Sequence, residues 1–143
     1  MIITKSAMDI IHGSVTDLPP ETGGLLGSSD GMCVDTIVMD RYGTQNVKLC
    51  SYCPNVTFFN QCIRQWQDQN IIFMGIFHTH FVGVRTLSSG DREYINAIMS
   101  AMPEQIDVLY FPLYVLPDRQ LVCYKAKRTD KGICIEQEDV MIE

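Results

Sequence analysis

Ile71-Ile72-Phe73-Met74-Gly75-Ile76-Phe77-His78-Thr79-His80 is the stretch on which the fold turns. From Ile71 to Phe77 it is nearly continuously apolar, the pattern of a strand covered on both faces. Such a strand needs elements to cover it, and the flanking sequence supplies them. Upstream, Phe59, Ile63 and Trp66 recur at helical spacing over about 56–69, behind Pro54 and Asn55. Downstream, residues 81–89 mix Gly, Ser and Thr as an irregular loop. Tyr94, Ile95, Ile98 and Met102 then mark a helix from Asp91 to Met102 that Pro103 closes.

Further out, Met8, Ile11, Val15 and Leu18 predict an amphipathic helix over 6–18, with Ser6 as its N-cap and Pro19-Pro20 as its end. Glu21 to Gly27 reads as a strand that turns at Ser28-Ser29-Asp30-Gly31 into a second strand, about 32–40, and a third spans about 45–52. Three more strands are expected near 107–116, 120–127 and 132–138. The alternation places the chain in the α/β or α+β class, with helices packed on a central mixed sheet. Trp66, Met99 and Met102 read as core, and His12 as a partly exposed helix histidine without a nameable partner.

The 143 residues are 46% hydrophobic and 20% charged, as expected of one domain spanning 1–143 that folds without disulfides. A formal net charge of −6 argues against nucleic acid and anionic membranes as partners, because both need basic surface. Lys125, Lys127, Arg128 and Lys131 form the densest basic group and read as a solvated strand and turn. No signal peptide and no window near the ~20 apolar residues of a membrane span is visible, so a cytoplasmic location is expected. The six cysteines accordingly read as reduced thiols. Cys50-x-x-Cys53 has the spacing of a zinc half-site or redox pair but lacks a second pair, which favours ordinary thiols.

His78 and His80, two apart on a strand, project to one face and can converge on one ion. Zinc takes imidazole and carboxylate ligands, and a catalytic site keeps three protein ligands and one open position. Asp91, at the start of the next helix, is the natural third, because the intervening loop can fold back over the strand end. Ser88-x-x-Asp91 also has the form of a capping box, and the two readings are compatible. Glu21, after two prolines, reads as an exposed acid at a strand entrance, a reading that leaves the following Thr22-Gly23-Gly24 unexplained.

The pattern His78-Thr79-His80…Ser88-Ser89-Gly90-Asp91 resembles the signature of the JAMM (MPN+) zinc metalloproteases, and Glu21-Thr22-Gly23-Gly24 resembles the strand that supplies that family's catalytic glutamate. The resemblance covers roughly residues 1–116. It implies an MPN/JAB-domain fold of cytidine-deaminase-like architecture, with Zn²⁺ on His78, His80 and Asp91. It further implies that Glu21 activates the water and that Ser88 stabilises the tetrahedral intermediate. The implied substrate is a peptide or isopeptide bond at the C-terminal tail of a ubiquitin-like or sulfur-carrier protein. Short peptides, cell-wall-like amides, or a non-catalytic scaffold of the same fold are the alternatives. Phe81 and Leu87 stand where the family usually has prolines, which touches the shape of the loop and not the ligands. With no counterpart of the long insertions that shape ubiquitin binding, the chain looks like a compact bacterial-type member.

Overall fold

The computed structural model describes residues 1–41, 43 and 52–143. In chain order these form β1 (Ile2–Ile3), α1 (Lys5–Ser14), β2 (Gly23–Ser28), β3 (Cys33–Val34), β4 (Thr36–Met39), α2 (Val56–Asp68), β5 (Ile72–His80), α3 (Ser89–Ala101), β6 (Val108–Tyr110), β7 (Leu113–Val115), β8 (Gln120–Thr129), β9 (Gly132–Glu138) and β10 (Met141–Ile142). The strand expected at about 45–52 and Cys50 fall outside the described residues, apart from Tyr52.

Strand β5 is central, antiparallel to β2 and parallel to β6 and β7. Those two strands replace the single one expected over 107–116. They are interrupted at Phe111-Pro112, where proline has no N–H to give to a ladder, and both pair with the long β8. Beyond them β9 closes that side and β4 lies beside β2, giving a mixed sheet. A second, all-parallel sheet joins β10, β1 and β3. Its two-residue strands are too short for any periodicity to reveal, and β1 and β10 were not expected.

Each face of the large sheet has its own core. Ala7, Met8 and Ile11 of α1 pack with Leu26, Met74, Phe77, Tyr114 and Leu116. Phe59, Cys62 and Trp66 of α2 and Ile95 and Met99 of α3 pack with Leu25, Phe73, Ile76, Leu113 and Val115. Burial of β5 on both faces is what the apolar run requires. Met99 is fully buried and Met102 packs against the same cluster, as core filling.

Helix α1 departs from expectation at both ends. Its N-cap is Thr4, whose hydroxyl accepts from the Ala7 N–H at 3.2 Å, and it stops at Ser14, well before the prolines. Val15 takes an extended conformation and turns its side chain into the core instead. His12 does have a partner: its Nδ1 meets the Tyr114 hydroxyl, and the rings lie edge to face at 5.4 Å. Arg119 secures the same corner, donating to the His12 carbonyl at 3.2 Å and to Asp17 at 2.9 Å.

Two of the four basic residues near the chain's last strands are engaged internally. Lys125 pairs with Glu136 and Glu138. Arg128 donates to the carbonyls of Met99, Met102 and Ile106 and so satisfies the C-terminal end of α3. Among the described residues, no helix is long and apolar enough to cross a membrane.

The β2–β5 ladder contains an irregularity with large consequences. Leu26 pairs with Gly75 but Gly27 pairs with Phe73, leaving Met74 as an extra residue on β5. Gly75 has φ +147°, and a Cβ there would lie 1.8 Å from the Tyr110 carbonyl oxygen of β6. Glycine is therefore demanded by backbone approach. Gly75→Ala is expected to cost about 3 kcal/mol or more, read as a lowered urea midpoint, whereas Gly83→Ala, with open space around its Cβ, should cost about 1 kcal/mol for its positive φ alone. Equal costs at both positions would contradict this account.

Candidate metal centre

After the extra residue on β5, Ile76, His78 and His80 share the face covered by α2 and α3, while Phe77 and Thr79 face α1. The histidines are 9% and 6% exposed, and their Nε2 atoms lie 3.0 Å apart. Asp91 joins them from α3, with Oδ1 at 3.1 Å from His78 Nε2 and Oδ2 at 3.4 Å from His80 Nε2. These are three groups able to hold a metal ion together.

The capping box holds Asp91 in place. Ser88 is the N-cap of α3; its Oγ accepts from the Asp91 N–H at 3.1 Å, while Asp91 Oδ2 accepts from the Ser88 N–H and hydroxyl, both at 2.7 Å. A carboxylate at a helix N-terminus is also favoured by the helix dipole. The Ser88-x-x-Asp91 capping box thus sets its carboxylate beside the two imidazoles.

The loop from Phe81 to Leu87 is held by hydrogen bonds and packing. Gly83 N–H donates to the Leu116 carbonyl at 2.8 Å, Tyr124 donates to the Arg85 carbonyl at 2.9 Å, and Arg85 reaches Asp118 at 3.0 Å and Gln120 at 2.7 Å. Leu87 is buried in the core beside α3, and Phe81 packs on the opposite cluster.

Glu21 lies just before β2 and lines the same cleft as the three donors. Its position is set through Thr22, whose N–H donates to Thr79 Oγ1 at 2.9 Å and whose carbonyl accepts from Thr79 N–H at 2.8 Å. The residue between the two histidines thus binds the residue after the glutamate. Gly23-Gly24 now has an explanation: a Cβ on Gly23 would lie 2.4 Å from the Phe77 carbonyl oxygen, and one on Gly24 2.5 Å from that of Val38. The paired glycines let β2 press against both neighbours.

Burial and charge set the protonation states. Burial holds the His78 imidazole below its ordinary value despite Asp91, which keeps it in the neutral, ligating form. Burial also disfavours charge on His80, but Asp91, Glu21 and the Val84 backbone more than offset it and raise its pKa. Burial likewise works against the Asp91 carboxylate, yet the two imidazoles and Ser88 hold it far below the usual carboxylate range. Glu21 is pushed upward, by burial first and then by Asp91, against the pull of His80 and the Tyr52 backbone.

The donor set suits zinc. A tetrahedral ion with ligands at about 2.0–2.1 Å separates its donor atoms by about 3.3 Å. Here the two Nε2 atoms are 3.0 Å apart, Asp91 Oδ1 is 3.1 Å from His78 and Asp91 Oδ2 is 3.4 Å from His80, and one ligand atom from each residue lies within 4.8 Å of the others. Two imidazole nitrogens pointed at each other and at a carboxylate, in a largely buried place, are costly to leave without a cation or a shared proton.

Above the donors opens a cleft of about 690 Å³, walled by Pro19, Pro54, Val56, Phe81, Val82 and Val84. Tyr52 and Cys53 also line it, and neither was picked out as a site residue. Tyr52 sat at the end of an expected strand, where nothing in the local pattern marks a site. Cys53 was seen only as half of a CxxC pair.

No family model matches the sequence and no curated protein matches it significantly. Solved structures do resemble it. A protein from Desulfitobacterium hafniense superposes with a TM-score of 0.65 at 16% identity, covering 100% of this chain and 93% of its own. A JAB1/MPN domain protein from Archaeoglobus fulgidus gives 0.57 at 14% identity over 99% and 98%. One from Salinibacter ruber gives 0.58 at 17% over 100% and 92%. At these identities the likeness is one of fold. The chain therefore has a mixed α/β fold, with helices packed on a mixed sheet, that resembles the JAB/MPN type. It carries a His-His-Asp cluster consistent with the JAMM metal-binding motif.

Zinc titration of the metal-free protein is expected to reach about one ion per chain and to raise the thermal midpoint, by about 4 kcal/mol of stability at a thousandfold excess over Kd. Asp91→Ala should abolish both effects. A wild-type protein that takes up no zinc and shows no thermal shift would contradict the donor set.

Proposed function

We propose that the protein is a zinc-dependent metallopeptidase that hydrolyses a peptide or isopeptide bond, with His78, His80 and Asp91 as ligands, Glu21 as base and Ser88 as oxyanion donor. The observation that carries this reading is the convergence of two imidazoles and a carboxylate, with one ligand atom from each within 4.8 Å of the others and Glu21 on the same cleft. Zinc, when bound, lowers the pKa of its water toward about 7 and polarises a carbonyl. Glu21 removes a proton from the attacking water and delivers it to the leaving amine, a role suited to a carboxyl raised by burial. Ser88 faces the cleft with its hydroxyl hydrogen on Asp91. Rotation about its C–O bond redirects that hydrogen to the developing oxyanion.

The walls bear on substrate. Val82 is 91% exposed and held at φ +57°, a region that β-branched residues avoid. Strain of about 1–3 kcal/mol is retained to place an apolar side chain at the mouth of the cleft. Apolar walls above a polar floor suit an extended chain whose scissile amide rests on the donors. The C-terminal tail of a ubiquitin-like or sulfur-carrier protein, the substrate that the sequence resemblance implies, is such a chain.

Glu21→Gln is expected to retain zinc but lower kcat about 10²–10⁴-fold. Ser88→Ala should cost about 1 kcal/mol of stability through its lost cap, and separately about 10²–10³-fold in kcat. Fusions ending in ubiquitin-like or sulfur-carrier tails, short peptides and cell-wall-type amides are the substrates to offer side by side. A zinc-loaded protein that cleaves none of them would overturn the enzymatic reading in favour of a scaffold.

A further inference from the structure

Tyr52 belongs to none of the motifs, yet it lies against the site. Its ring is nearly parallel to the His78 imidazole, at 12° between planes and 5.8 Å between centroids. Its hydroxyl donates at 3.0 Å to Asp40, which is 7% exposed and also accepts from the Asn55 N–H at 2.8 Å. Asn55 in turn caps α2, accepting from the Phe58 N–H at 3.0 Å, so the tether runs back to a helix end.

The tyrosine ring packs closely on the strand beneath it. A Cβ on Gly23, the partner of His78 across β2 and β5, would lie 2.7 Å from Tyr52 Cζ, besides its 2.4 Å clash with the Phe77 carbonyl oxygen. An imidazole turns easily about its last torsion, which is broad, so a ligating ring needs a neighbour to define its plane.

We propose that Tyr52, tethered by Asp40, is a positioning residue that fixes the plane of the His78 imidazole. The proposal rests on the metallopeptidase reading, but its first readout does not require catalysis. Tyr52 acts through a residue that holds the metal.

The test is zinc affinity, by competition with a chromophoric chelator, and the visible absorption of the Co(II)-substituted protein, for wild type, Tyr52→Phe and Tyr52→Leu. Tyr52→Leu, which removes the stacked ring, is expected to weaken zinc binding about 10–100-fold and to shift the Co(II) bands. Tyr52→Phe keeps the ring but frees it from Asp40, and should lose about threefold to tenfold in affinity while its metal-free thermal midpoint stays near that of wild type. Where amide cleavage is measurable, kcat should fall more than KM rises in both variants. Wild-type zinc affinity and an unaltered Co(II) spectrum in both would overturn the proposal. If Tyr52→Leu does not fold, Tyr52→Phe decides alone by the same criterion. A wild type that binds no zinc overturns the metal-site reading and this inference with it, whereas one that binds zinc without cleaving any amide leaves the affinity comparison decisive.

Discussion

One extra residue in β5 governs where the chemistry can be. Side chains alternate along a strand, so a single inserted residue exchanges the two faces for everything beyond it. Phe73 and Ile76 both face α2 and α3, although strict alternation would send them to opposite sides. The histidines inherit the shifted parity. Without the irregularity at Met74, they would point at α1, away from Asp91 and Glu21, and the same sequence would carry no cluster. The close approach of Tyr110 to Gly75 secures that shift from the neighbouring strand.

The site gathers contributions from three separated stretches, each held by a different force. The histidines are fixed by the β5 ladder and Asp91 by a helix cap, while Glu21 is fixed by hydrogen bonds from its neighbour Thr22 to Thr79. The apolar walls come mainly from the loop after β5, the segment before β2 and the start of α2.

Much of this was legible in the residues. The apolar run of β5, the amphipathic α2 and α3, the β8–β9 pair and the donor set could all be read from spacing, because each depends on local pattern. What escaped was decided by partners distant in sequence. Two-residue β1 and β10 exist only by pairing in the small sheet, and the early end of α1 follows from Val15 seeking the core. His12 found Tyr114, far along the chain, which no periodicity could announce. The bulge hid within a continuous apolar run, where either parity reads the same. Gly23-Gly24 was visible as a motif but not as a steric necessity, since its clashes lie on β4 and β5 and on Tyr52.

The double link between Thr22 and Thr79 carries a further implication. Strand pairing admits only whole-residue displacements, of about 3.3 Å each. A partial slip that would merely loosen the spacing between Glu21 and the two histidines is therefore not available to this fold. Substitutions in the loops and walls can accumulate without gradually detuning the reacting groups, because the spacing of those groups is stepped and not continuous. The architecture separates what may drift from what must stay, and in that sense the ladder acts as a digital memory of the site's geometry.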